Sequence, residues 1–234
     1  MDELLSIDVG SVRAFVRRWY GPWMESGGPR ADAWRHLPDA LADWHAVAAS
    51  ARVPITFQDH PIPISDVALE GDGMLPFWVE NQNGYRWAVE VKAPGLPVYS
   101  QEWGSSGWAW AGEGIERFLV HCTVREAIIG AEQKFTAIVP DSLLVEALES
   151  FVSLPFVALA SEEPETRVLV CGDALARLTV PPVGYDRAQE RSWMLTVAAP
   201  DLSGIERHRA RLGGDAAHDE GPFPEDVIDE PPPF

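Results

Sequence analysis

"MLPFWVENQNGYRWAVEV", Met74 to Val91, decides how this chain is read. Two runs rich in aromatic and β-branched residues flank Gln82-Asn83-Gly84, which is a hairpin signal. Register follows from polarity. A two-residue loop at Asn83-Gly84 places Phe77 opposite Glu90 and Trp87 opposite Glu80. Each face then mixes charge with bulk, which a half-buried sheet avoids. A three-residue loop, Gln82-Asn83-Gly84, sorts the pairs. Leu75/Val91, Phe77/Val89 and Val79/Trp87 share one face, while Pro76/Glu90, Trp78/Ala88 and Glu80/Arg86 share the other. That loop needs a left-handed residue after a type I turn, and Gly84 supplies it. This register sends Trp87 to the core. It leaves Trp78 on the opposite face, beside an ion pair of Glu80 with Arg86.

On the N-terminal side of the hairpin, Ser11 can cap a helix with Val12, Phe15, Val16, Trp19, Tyr20 and Trp23 on one face, ending near Ser26-Gly27-Gly28-Pro29. A second helix starts at Leu37-Pro38, with Pro38 in its first turn. Leu41, Trp44 and Ala48 line its face, and it stops before Pro54. Residues 55–73 are rich in proline and turn formers, so they predict a loop with one short strand at most. On the C-terminal side, "PGLPVYSQEW" reads as a third strand, with Pro97 at an edge or at the strand's first position. "GSSGWAWAGEG" reads as a loop. Ile115, Phe118, Leu119 and Cys122 give a helix face, and Thr123 with Glu126 fits a capping box for a further turn.

A second set of elements begins near Lys134. "KFTAIV" is a strand, and Asp141 or Ser142 can cap a helix with Leu143, Leu144, Ala147, Leu148 and Phe151 on its face. "TRVLVC" and "ALARLTV" are strands joined by the two-residue turn Gly172-Asp173. "SWMLTVAA" is another strand and "LSGIERHRARL" a closing helix. From Gly213 the acids Asp215, Asp219, Glu220, Glu225, Asp226, Asp229 and Glu230 occur without Lys or Arg. The expected organisation is a first domain over 1–133, an α+β subdomain over 134–212 and a disordered acidic tail over 213–234.

The 234 residues carry 18 Lys+Arg against 36 Asp+Glu, a net charge of −18. Such a surface repels phosphate backbones and anionic lipid and attracts basic partners, although acidity also serves solubility. No apolar run reaches the ~20 residues of a membrane helix, and the N-terminus "MDELLSIDVG" lacks a secretory pattern, so a soluble cytoplasmic protein is expected. Cys122 and Cys171 sit in apolar runs. Two buried free thiols are the favoured reading, with a single disulfide left open.

Four stretches resemble one family. "LPDALADWHAV" is similar to the Leu-Pro helix near the start of the SUKH superfamily, which includes the yeast cell-wall regulators of the Smi/Knr type and many bacterial immunity proteins. "LPFWVENQNGYRWAVEV" resembles its central hairpin, "GLPVYSQEW" its Pro-Val strand, and "GIERFLVHCTVREAI" its closing Phe-Leu helix. The order of the pieces agrees over Val12 to Gly130, while 134–212 lies outside the match. The resemblance implies an α+β domain with a central antiparallel or mixed sheet and flanking helices. It also implies a binding protein without catalytic residues, similar to antidotes that neutralise a cognate toxin, often a nuclease.

No nucleophile elbow, phosphate loop or zinc spacing occurs, so no catalytic residue, cofactor or metal is expected. Asp59-His60 lacks a third metal ligand nearby, and His121 reads as a partly buried structural histidine. Glu80 and Glu90 share one face and could serve acid–base chemistry, but the Glu80–Arg86 pair explains them more simply. The candidate partner-binding residues are Trp78, Glu80, Arg86, Glu90, Trp103, Trp108 and Trp110, an aromatic cluster ringed by charge. The expected partner is a basic toxin domain. A regulatory or scaffold interaction module of the same fold is the alternative, and a hydrolase using Glu80 and Glu90 a third reading.

Overall fold

The computed structural model describes residues 1–8, 10–21, 37–182, 191–211 and 217–218. Among the described residues, six helices and eleven strands make an α+β fold with two antiparallel sheets, one in each half. The helices are α1 (Asp2–Leu5), α2 (Ser11–Tyr20), α3 (Asp39–Ser50), α4 (Ile115–Gly130), α5 (Asp141–Leu148) and α6 (Leu202–Arg211). The first sheet runs β1 (His60–Pro61), β2 (Met74–Val79), β3 (Tyr85–Glu90), β4 (Pro97–Glu102), β5 (Ala109–Gly114), in sequence order. The second contains β6 (Gln133–Pro140), β7 (Val152–Ser153), β8 (Arg167–Cys171), β9 (Ala174–Thr179), β10 (Ser192–Ala199) and β11 (Ala217–His218), in spatial order β11-β6-β10-β9-β8-β7.

The hairpin β2–β3 corrects the polarity-based register. Val79 pairs with Arg86 and Trp78 with Trp87, so the loop spans four residues, 81–84. A β-bulge follows at Phe77, beyond which Pro76 faces Ala88 and Leu75 faces Val89. The extra residue breaks strict alternation. Leu75, Phe77 and Trp78 therefore all reach the interior, and Trp78 is as fully buried as Trp87. Trp78 meets Trp44 of α3 edge-on, with ring centroids 5.3 Å apart. The left-handed turn residue is Asn83 (φ 57°), not Gly84. Gly84 serves a different contact: a Cβ there would come within 2.7 Å of the Glu80 carboxylate, which accepts the Gly84 N–H and would have to shift.

Helix α4 organises both halves. It lies against α2, α3, β4 and β5 on one side and against β9 and β10 on the other. Every residue from Phe118 to Ile128 is buried, so this helix has no solvent face over three turns. One core cluster includes Trp44, Trp78, Trp87, Phe118 and Val120 together with Leu154, Val168, Val170 and Leu175 of the second half. A smaller cluster around Phe135, Leu178, Trp193 and Leu195 covers the opposite face of the second sheet beneath α5 and α6.

The Thr123–Glu126 capping box does not form, because α4 continues unbroken to Gly130. Thr123 donates to the Leu119 carbonyl and accepts from Trp44 Nε1. Residues 109–114, expected as loop, form β5. Its Gly112 adopts φ +84° and brings the backbone against Val157, 3.0 Å from where a Cβ would sit. Pro97 opens β4, which lies between β3 and β5 and is not an edge. The Gly172-Asp173 turn, β6, β10 and α6 fall where the pattern places them, with Gly172 at φ +59°. Both cysteines are free, Cys122 buried and Cys171 half-buried. Trp23 and the stop at Ser26–Pro29 lie outside the described residues, as does the acidic stretch 213–234 apart from Ala217–His218. Among the described residues, no helix is long and apolar enough to cross a membrane.

Candidate partner-binding face

Alternation along β3 and β4 gives the first sheet two faces. Trp87, Val89 and Val98 point inward, and Trp87 meets Phe118 of α4 with centroids 5.9 Å apart. Arg86, Ala88 and Glu90 point outward, in register with Gln101, Tyr99 and Met74, and Tyr99 pairs across to Trp110. The outer face therefore collects most of the residues singled out from sequence.

Arg86 is its centre. Its guanidinium donates to both carboxylate oxygens of Glu70 at 2.6 and 3.3 Å and to Gln101 at 2.8 Å. It also lies 4.8 Å from the centroid of the Trp108 ring, a cation–π contact. Trp108 in turn donates its indole N–H to Asp72 at 2.9 Å. The Met74 amide, then Trp108, hold the Asp72 carboxyl below its ordinary range. Glu90 accepts from the Tyr99 hydroxyl at 3.2 Å; burial, then Glu90, raises that phenol above its ordinary value. Arg86, Trp108 and Tyr99 are thus each tied to an acid of the same face.

Two aromatics stay open. Trp103 is 79% exposed and Trp110 67% exposed. Trp103 is fixed at its backbone by an N–H bond to the Gly84 carbonyl at 2.8 Å. It borders a recess of about 430 Å³ with Val79, Arg86, Gln101 and Ser105. Large exposed indoles on an ordered backbone are unusual without a role, since Trp is among the side chains that lose most by contact with water.

Two residues leave the candidate set. Trp78 is core, for the register reason given above. Glu80 does not pair with Arg86; it folds back on its own turn, and Arg86 selects Glu70 instead. The proposed Glu80–Glu90 carboxylate pair also fails on geometry. Glu80 flanks the loop beside Tyr85 and Glu90 closes β3, so their backbones stand about 17 Å apart at ~3.3 Å per residue. That separation is too wide for joint acid–base work on one bond.

The chemistry that sequence missed is internal. Glu126 of α4 accepts the backbone N–H groups of Phe57 (2.6 Å), Gln58 (2.7 Å) and Asp59 (3.1 Å). Arg125 donates to Asp59 (2.7 Å), Glu126 (3.2 Å) and Glu162 (3.0 Å), and Glu162 also receives Arg177 (2.8 Å). Burial would raise the Glu162 carboxyl, but Arg177 and Arg125 outweigh it and hold it below its ordinary range. For Asp59 burial wins over Arg125, and its carboxyl is raised. His121 lies 3.3 Å from Glu113 and stacks on Phe156 at 4.5 Å, while Glu113 accepts the Val157 N–H at 2.9 Å. His121 and Glu113 are each 1% exposed, so this pair is walled off and fully buried, beyond the partial burial expected. Asp59 belongs to this network while His60 is exposed. Among the described residues, no group of His, Cys, Asp and Glu is placed to hold a metal ion. One sequence signal was available: Arg125-Glu126 stands between the apolar positions Val124 and Ala127-Ile128-Ile129 of the helix.

No protein-family model, curated protein or solved structure matches this chain.

Proposed function

We propose that this chain is a non-enzymatic binding protein that docks a basic protein partner on the outer face of its first sheet. The observation that carries the reading is the pair Trp103 and Trp110, exposed on an ordered face whose neighbours include Glu70, Asp72, Glu90 and Glu102. A net charge of −18 adds long-range attraction for a cationic surface. The indoles then supply the short-range contact that sets the off-rate, especially against Arg or Lys side chains. Trp108 and Arg86 act as the rigid floor between them.

The SUKH-like order of helix, hairpin, strand and helix supports a narrower form of this proposal. The chain would be an immunity protein that covers the active surface of a basic toxin, such as a nuclease. Co-expression with the toxin encoded beside it tests this. Cells should survive with the wild-type chain and die with the W103A/W110A variant. Equal killing with and without the wild-type protein removes the immunity role.

A regulatory or scaffold role is the second reading, favoured by the run of acids from Asp215 to Glu230 without a basic residue. Deleting 213–234 separates the two. A scaffold that recruits through this segment loses its partner, whereas docking on the sheet face survives.

A further inference from the structure

A cleft of about 370 Å³ opens between the two halves, away from the outer face of the first sheet. Its floor is the face of the second sheet that carries Arg177, Thr179 and Met194, paired in register across β9 and β10. Tyr85 at the start of β3 forms one wall, and the turn from Ser161 to Thr166 the other. Four buried polar atoms lie in this wall and floor without a partner in the chain: Ser161 Oγ, Thr166 Oγ1, Arg177 Nε and Thr179 Oγ1. Thr166 and Thr179 are 7% and 6% exposed.

Unpaired buried hydroxyls are costly and rare, and a single one is often incidental. Convergence of four on one cleft is different. All four belong to residues that line the cleft. The guanidinium Nε–H can only donate, and each hydroxyl can donate too. The set therefore complements an oxygen acceptor with several lone pairs. Charge narrows the class. Arg177 is already matched by Glu162 at 2.8 Å, and Glu163 stands at the rim. A dianion such as phosphate would meet this acidic surround with little free positive charge to offset it. A carboxylate carries one charge and two acceptor oxygens. The Tyr85 ring and the Met194 thioether offer a flat apolar surface for the rest of the molecule.

We propose that this inter-sheet cleft binds a small organic monocarboxylate, with Ser161, Thr166, Arg177 and Thr179 on the carboxylate and Tyr85 and Met194 on its apolar part. The site shares Tyr85 with the recess beside Trp103, and its other lining residues all lie in the second half. Because it is built from both sheets, occupancy raises the stability of the whole chain.

The full chain is titrated with sodium benzoate, sodium acetate and inorganic phosphate at constant ionic strength. Calorimetry and thermal unfolding are followed together with amide shifts. Benzoate should bind saturably at millimolar concentration or below, raise Tm and move the amides of Ser161, Thr166, Arg177 and Thr179. Acetate should bind more weakly at the same amides, and phosphate should not bind. Thr166→Val and Thr179→Val, singly and together, remove the unpaired hydroxyls while keeping shape. The double variant should weaken benzoate by at least about tenfold, or 1.4 kcal/mol, with the ligand-free Tm unchanged or higher. Several results overturn the proposal: no saturable carboxylate binding, phosphate bound in preference to benzoate, or amide shifts elsewhere. A lower ligand-free Tm in the valine variants without carboxylate binding also does so, because the hydroxyls then serve internal water alone. Should the double variant fail to fold, Ser161→Ala and the single variants carry the same comparison.

Discussion

Two arginines in this molecule each hold three side-chain partners, with opposite consequences. Arg125 meets Asp59, Glu126 and Glu162 with its side chain 5% exposed; Arg86 meets Glu70, Gln101 and Trp108 with its side chain 32% exposed. Around Arg125, carboxylates that would each be expensive to bury are committed to one cation, and loop, central helix and second half are tied through it. Around Arg86, water can replace any partner that leaves. Burial, not pairing, separates the group that holds the fold from the group available for recognition.

The largest effect should come from Arg125→Met. It removes the cation shared by buried Asp59 and Glu126, leaves Glu162 to Arg177 alone, and is expected to cost about 3–5 kcal/mol, read from urea unfolding at neutral pH. A variant as stable as the wild type would show that the network is not what joins the halves. Trp78→Ala should fall in the same range, about 3–5 kcal/mol, because it empties space under Trp44. A cost near zero would return Trp78 to the surface and restore the simpler hairpin register.

His45 gives an intermediate effect with a definite sign. Burial lowers its imidazole from 6.5 to about 4, and the ring sits edge-on to Trp44 at 5.3 Å. Between these values the unfolded chain binds the proton and the folded one does not, so stability falls as pH drops from 6.5 towards 4. The loss is on the order of 2 kcal/mol by pH 5 and about 3 kcal/mol at full extent. His45→Gln should flatten that part of the acid limb, measured as urea midpoints at pH 7 and pH 5. An unchanged slope would place the acid sensitivity elsewhere.

Arg86→Ala should cost less than about 1 kcal/mol, since its pairs are partly solvated. A loss as large as that of Arg125→Met would erase the contrast between the two sites. Trp110→Ala should be the mildest, within about 0.5 kcal/mol of wild-type stability, while weakening partner capture through a faster off-rate in surface-binding kinetics. Binding that is indifferent to both Trp110→Ala and Trp103→Ala would move the docking face off this sheet.

Regular elements were legible where one periodicity governed them. Helix α2 showed its buried Phe15, Val16 and Trp19 at helical spacing, and β8–β9 announced their turn through Gly172-Asp173. The hairpin was legible as a hairpin but not in register, because alternation is informative only while it is unbroken, and the bulge at Phe77 breaks it. Strand β5 was hidden by its glycines, which serve close approaches, Gly112 to Val157 and Gly114 to the Gly95 carbonyl. Helix α4 misled most. Thr123 and Arg125 find their partners in Trp44, Asp59 and Glu162 and Glu126 in the backbone of 57–59, all far away in sequence, whereas Glu113 lies only eight residues from His121. Of the candidate site, the indoles Trp103, Trp108 and Trp110 were readable from their spacing. Glu70 and Asp72, which organise Arg86 and Trp108, were not, since nothing local distinguishes them from other surface acids.

The central helix also bears on how the chain is made. Synthesis delivers β1 to β5 and α4 before any strand of the second sheet exists. At that stage α4 can close over the first sheet, but Val120, Val124 and the Arg125 network face outward until β8, β9 and β10 have left the ribosome. The nascent protein must carry that sticky, charged seam through the time needed to translate about 70 more residues, several seconds at typical rates. Refolding of the intact chain, with both sheets present at once, skips this interval, and chaperone dependence should therefore be greater during synthesis than after dilution from denaturant.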